Sequence, residues 1–143
     1  MSAPIVRKLG RISDGAKTSY FLMPPKFWLD SVERNEGRKI LQIAIKSEAF
    51  ALVMSPVFEQ PEGDQPRNSS PEEVLSMLEE GTLISKLREV RKGKNVYRIV
   101  NLPRVWIRER EAGTNRKLAA LSITTQADYI TVEPIFGEKL KQR

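Results

Sequence analysis

A mainly β fold with short helices, assembled from two copies of one ββαββ unit, is what this 143-residue chain predicts. Three observations carry that expectation. Sliding the chain by 78 positions lays residues 8–58 over 86–136 without a gap, with 12 of the 51 aligned pairs identical. Random pairing would give about three such identities in a window of this composition. The identical pairs include residue types that are rare or geometrically special: Gly15/Gly93, Pro25/Pro103, Trp28/Trp106, Glu33/Glu111, Pro56/Pro134 and Phe58/Phe136. Second, the apolar residues outside one connector alternate in short runs bounded by Gly and Pro, the period of strands. Third, each copy holds one prolyl start followed by a Trp-bearing helical pattern. Two copies at so long a spacing do not make a solenoid, so the repeat reads as two equivalent half-domains.

Each unit opens with a basic strand-like segment leading into a Gly-containing loop, residues 7–17 and 87–94, where Gly15 and Gly93 supply the positive φ of a tight turn. A second strand follows, rich in β-branched and aromatic residues (Tyr20, Phe21; Val96, Tyr97, Ile99, Val100). Pro25 and Pro103 then end the strand and start a helix, since proline is tolerated in the first helical turn and disfavours helix for the residue before it. In the first copy Trp28, Leu29 and Val32 form one apolar stripe; in the second Arg110 stands where Val32 does, so the stripe narrows. Gly37 and the aligned Asn115 accept the left-handed conformation of a turn. A closing hairpin completes each unit: Leu41, Ile43 and Ile45, or Ala119, Leu121 and Ile123, alternate with smaller or polar residues. Its turns are expected at Lys46-Ser47-Glu48 and Thr124-Thr125-Gln126, and its return strands are expected to end at Pro56 and Pro134.

The connector is of another kind. Residues 60–70 hold Pro61, Gly63 and Pro66 and read as a loop. Ser70-Pro71-Glu72-Glu73 then has the form of a capping box, leading into Val74, Leu75, Met77 and Leu78 and stopping at Gly81. The organisation is a first half at 5–58, an acidic linker with one short amphipathic helix at 59–85, and a second half at 86–136.

Composition narrows function. The chain has no His and no Cys. That removes Ser-His-Asp and Cys-His nucleophile systems, thiolate chemistry, ordinary zinc sites and disulfides. Asp14, Asp30, Glu33 and Glu111 form no paired acid–base spacing, and no P-loop or dinucleotide glycine motif is present. No enzyme, metal or cofactor is expected. No apolar run approaches the roughly 18 residues of a membrane span, and the first eleven residues carry charge where a signal peptide needs its apolar region. A cytoplasmic protein is the expectation.

The net charge of +6 is unevenly placed. Residues 59–81 hold seven acids and one base, whereas residues 86–117 hold eleven bases and three acids. Such a basic stretch suits a polyanion-facing surface.

The order of these features resembles the SpoVT-AbrB swapped-hairpin family, in its archaeal form. The residues that carry the resemblance are Ile5-Val6-Arg7-Lys8-Leu9-Gly10-Arg11 followed by Leu22-Met23-Pro24-Pro25-Lys26-Phe27-Trp28, and Val100-Asn101-Leu102-Pro103-Arg104-Val105-Trp106. It covers about 100 residues of the chain. The resemblance implies a swapped-hairpin β-barrel built as an intrachain pseudo-dimer, in which two half-units share a core that neither would bury alone. The departures are a longer first hairpin loop, the second proline at Pro24, and the missing Gly-Asp pair after the helix.

The resemblance also implies a nucleoid-associated transcriptional regulator that binds double-stranded DNA sequence-specifically, acting by site occupancy through basic residues on one face of the barrel. Carried over by position, the DNA-binding candidates are Arg7, Lys8, Arg11, Lys17 and Lys26 in the first copy and Lys86, Arg88, Arg91, Lys92, Lys94, Arg98 and Arg104 in the second. Arg11, Arg91 and Arg98 are the candidates for base edges, where the bidentate Arg fork suits guanine. Trp28 and Trp106 are assigned to core packing rather than base stacking. An alternative is a protein-interaction module, an antitoxin-like or adaptor barrel whose partner docks on the acidic linker helix. A homodimer of such pseudo-dimers is a further expected assembly.

Overall fold

The computed structural model describes residues 4–15, 17–59 and 70–139; of the loop expected at 60–70, residues 60–69 lie outside them. The opening segment of the first copy forms β1 (Ile5–Lys8) and β2 (Gly10–Asp14), parted only at Leu9, and its counterpart is one unbroken strand, β6 (Leu83–Lys92). That strand begins inside the stretch assigned to the linker. β2 turns back into β3 (Lys17–Leu22) and β6 into β7 (Asn95–Asn101). Asp14 stands opposite Lys17 and Lys92 opposite Asn95, so both hairpins turn over two positions. Gly15 (φ 62°) and Gly93 (φ 66°) take the left-handed conformation that such turns demand. The first loop, expected to be long, is therefore as tight as the second.

The helices α1 (Lys26–Glu36) and α3 (Arg104–Thr114) start directly after Pro25 and Pro103. Each proline is the N-cap residue, without a side-chain cap, and the Pro25 carbonyl accepts from the Trp28 and Leu29 N–H groups. Gly37 (φ 71°) and Asn115 (φ 55°) end them in left-handed geometry, as the sequence predicts. Between the copies, α2 (Pro71–Glu80) is capped by Ser70, whose Oγ accepts from the Glu73 N–H at 3.2 Å, and it stops at Gly81.

The closing hairpins are β4 (Gln42–Glu48) with β5 (Ala51–Val57), and β8 (Arg116–Thr125) with β9 (Ile130–Lys139). Their turns correct the sequence reading. Glu48 pairs with Ala51, so the first turn is Ala49-Phe50, with Ala49 at φ 56°. In the second the Gln126 N–H donates to the Tyr129 carbonyl. The prolines do not end the strands either: Pro56 pairs with Ile43, and Pro134 with Leu121 well inside β9. β5 and β9 pair with each other only over Leu52–Met54 and Ile130–Val132, so each proline lies where one neighbour has already left and that flank has no ladder to break.

Nine strands make one antiparallel sheet in the order β1-β8-β9-β5-β4-β6-β7-β3-β2. Its two ends, β1 and β2, are consecutive in the chain, and the intervening Leu9 N–H donates to the Ala119 carbonyl. The sheet is thus nearly closed and barrel-like. Its registers are equivalent when the copies are exchanged. Ile5 faces Ile123 and Leu83 faces Ile45, two pairs that a shift of 78 positions interconverts. Leu22 faces Val100 and Val53 faces Thr131, so at these two places a residue pairs with its own counterpart. The opening strand of each copy runs along the closing hairpin of the other.

One core serves both copies, containing Leu22, Trp28, Leu29, Ile43, Ile45, Leu52 and Met54 together with Val100, Trp106, Ile107, Leu121, Ile123, Ile130 and Val132. Both tryptophans are buried, in agreement with their assignment to packing. α2 packs against β4 and α3 and contributes Leu78, which is fully buried. Gly10 marks the step from β1 to β2: it stands opposite Phe21, and a Cβ there would lie 2.4 Å from the Phe21 ring. No helix among the described residues is long and apolar enough to cross a membrane.

Candidate nucleic-acid interface

The candidate cations sit on three kinds of element. Arg7 and Lys8 are on β1, and Arg11 on β2; Lys86, Arg88, Arg91 and Lys92 run along β6. Lys94 is in the β6–β7 turn, and Lys26 and Arg104 are the first helical residues of α1 and α3. These ten are exposed, and none makes an ion pair among the described residues. Lys17 is in β3, but its side chain lies outside the described residues.

Arg98 is placed differently. Its side chain is only 15% exposed; its Nη1 donates to Glu33 Oε2 at 2.9 Å, and Nη2 lies 3.5 Å from Asp30. A guanidinium so engaged does not present its fork to a base edge, and Arg98 leaves the set of surface candidates. Its role is to tie β7 of the second copy to α1 of the first. Burial pushes the Glu33 carboxyl up, but the Arg98 hydrogen bond, the Ile40 N–H and the charges of Arg98 and Lys39 outweigh it and hold the group below its ordinary value. A second, exposed link joins the same two copies, with Lys39 Nζ 3.1 Å from Glu89 Oε1, and that hydrogen bond leads the lowering of the Glu89 carboxyl.

The matching end of the molecule has other chemistry. Tyr20 stands where Arg98 does and Arg11 where Glu89 does. The Arg11 guanidinium lies 5.8 Å from the Tyr20 ring centroid, a cation–π contact. These two, with Glu111 and Lys117, line a cleft of about 410 Å³.

The structure brings some candidates together and separates others. Arg7, Lys26, Lys94 and Arg98 line a cavity of about 760 Å³ that joins the start of α1 to the β6–β7 hairpin, with Tyr97 and Val96 on its wall. Along β6, residues alternate between faces, so Arg88 and Lys92 share one side of the hairpin and Arg91 points to the other, beside its cross-strand partner Val96. The basic surface wraps the β6–β7 hairpin instead of occupying a single face. Lys8 and Lys86 hold equivalent places opposite Ala120 and Gln42.

Sequence reasoning missed the function of Glu33 and Glu111, though their identity in the repeat was the signal. Glu33 Oε2 accepts from the Ile40 N–H and Glu111 Oε2 from the Leu118 N–H, each at 2.8 Å. Each carboxylate thus pins the chain as it leaves its helix toward the closing hairpin. No family model, no curated protein and no solved structure matches this chain.

Proposed function

We propose that the protein is a swapped-hairpin pseudo-dimer of the SpoVT-AbrB kind that binds double-stranded DNA and regulates transcription by occupying its sites. One observation carries the DNA reading: ten of the twelve candidate cations are exposed and make no ion pair among the described residues. Uncompensated cations on flexible stems are what phosphate contacts require, and they position a protein on a duplex without reading it. With Arg98 committed to Glu33, base reading falls to Arg11 and Arg91. The equivalence of registers under exchange of the copies supports the pseudo-dimer.

The acidic helix α2 directs its glutamates outward while Leu78 goes to the core. A partner docking on α2 would meet mainly carboxylates, and no observation favours that reading over DNA.

The experiment is fluorescence anisotropy with random duplex DNA at several salt concentrations, followed by selection for enriched sequences. Binding that weakens steeply with salt, with one enriched motif, is the expected result. No binding at micromolar protein in low salt would sink the proposal.

A further inference from the structure

α2 belongs to neither copy of the repeat, and it seats in a crease between α3 and β4. Exchange of the copies relates α3 and β4 to α1 and β8, and between α1 and the end of β8 lies a cavity of about 450 Å³ lined by Phe27, Trp28, Ser31, Thr124, Gln126 and Ala127, together with Thr125. No helix among the described residues packs there. The consequence shows in the side chains. Phe27 is 58% exposed, whereas its counterpart Val105 is half-buried against the core. Nearby, Val6 on β1 is 64% exposed, while its counterpart Ile84 is half-buried.

We propose that the α1–β8 crease is a docking site for an amphipathic helix of a partner protein, held as α2 is held in the matching crease. The backbone frame that accepts a helix on one half is repeated on the other, and a large apolar ring is left at its edge. A second copy of the chain offers little from its described helices: Trp28, Leu29 and Val32 of α1, Leu78 of α2 and Trp106 and Ile107 of α3 are already buried in their own core. The chemistry of the occupant follows from the lining. Every lining residue of the open crease is uncharged, whereas the counterparts of Ser31, Thr124 and Gln126 are Glu109, Lys46 and Glu48. The partner helix therefore presents apolar residues at i and i+4, as Val74 and Leu78 do in α2, with hydroxyl or amide neighbours and no required ion pair. Its binding is insensitive to salt, which separates it from any DNA contact.

Two measurements test this. In the first, a peptide of residues 70–82 is titrated into the full chain, followed by amide chemical shifts. Saturable shifts at Phe27, Ser31 and Thr124 that are lost in Phe27→Glu are expected. Shifts confined to the α3–β4 side, where the peptide would replace α2, or no shifts, overturn the proposal. So do concentration-dependent shifts at Phe27 without peptide, which would assign the crease to a second copy.

In the second measurement, residues 1–4 are replaced by a second copy of residues 70–82, so that the helix precedes Ile5 as α2 precedes Leu83. A Tm rise of about 5 °C that Phe27→Glu abolishes is expected. An unchanged or lowered Tm shows that the crease does not take a helix.

Discussion

The two junctions between an opening hairpin and the helix of the other copy share a backbone and differ in side-chain chemistry. At one, Arg98 is clamped by Glu33 and Asp30, with Lys39 reaching Glu89; at the other, Arg11 lies over Tyr20. What both keep is the Glu that accepts a backbone N–H where the chain leaves its helix, through Glu33 and Glu111. The difference teaches that a duplicated frame keeps the bonds that set its backbone and leaves side-chain junctions free to diverge. The same holds for the creases, one filled by α2 and one open.

The largest expected effect concerns the creases. Leu78→Ala removes a fully buried anchor of α2 and costs about 3 kcal/mol, whereas Phe27→Ala at the open crease stays within about 0.5 kcal/mol, both read by urea denaturation. Equal costs would mean that the creases do not differ in occupancy.

Next come the two glutamates. Glu33→Ala takes from the largely buried Arg98 its nearer carboxylate, leaving Asp30 at 3.5 Å, and strands the Ile40 N–H, and is expected to cost about 2–3 kcal/mol; Glu111→Ala leaves one N–H and costs about 1 kcal/mol. A reversed order would contradict the assignment of the ion pair. pH acts on the same group. Because the folded-state pKa of Glu33 is depressed, its contribution is present above its unfolded value, about 4.3, and fades as pH falls through the folded value. Stability measured from pH 6 down to 2 should decline more gently in Glu33→Gln than in the wild type.

The smallest effect separates the tryptophans. Trp28 Nε1 donates to the Gln126 carbonyl at 2.9 Å, whereas Trp106 Nε1 is buried with no partner among the described residues, as is Arg110 Nε one helical turn on. Trp→Phe loses similar packing at both, so Trp28→Phe should be the more destabilising by about 1 kcal/mol. Thermal denaturation of the two variants reads the difference, and equal losses would remove the hydrogen bond as its cause.

Much of this frame was legible in the residues. The repeat, the prolyl helix starts, the left-handed Gly37 and Asn115 and the Ser70 cap follow from backbone requirements that few residue types meet, so they leave a local mark. The closing turns did not, because Ala49 takes a positive φ with no Gly, Asn or Asp to announce it. The strand ends were misplaced because a proline interrupts a ladder only if a neighbour is there, and which neighbour remains is a property of the sheet. The commitment of Arg98 was invisible for a further reason: its partners lie 65 and 68 positions away in the other copy, and at its aligned position stands Tyr20. Alignment of the copies shows what they share and is blind to contacts made between them.

In the proposed function the exposed cations meet DNA phosphates, more of them through the second copy than the first. The salt dependence of duplex binding tests it most directly, comparing wild type with Arg88→Ala/Arg91→Ala/Lys92→Ala/Lys94→Ala and with Arg7→Ala/Lys8→Ala/Arg11→Ala/Lys26→Ala. The expected result is a log–log slope that flattens by about 0.9 for each phosphate that the variant no longer neutralises, with the larger change in the second-copy variant. Slopes identical to wild type in both variants would contradict it.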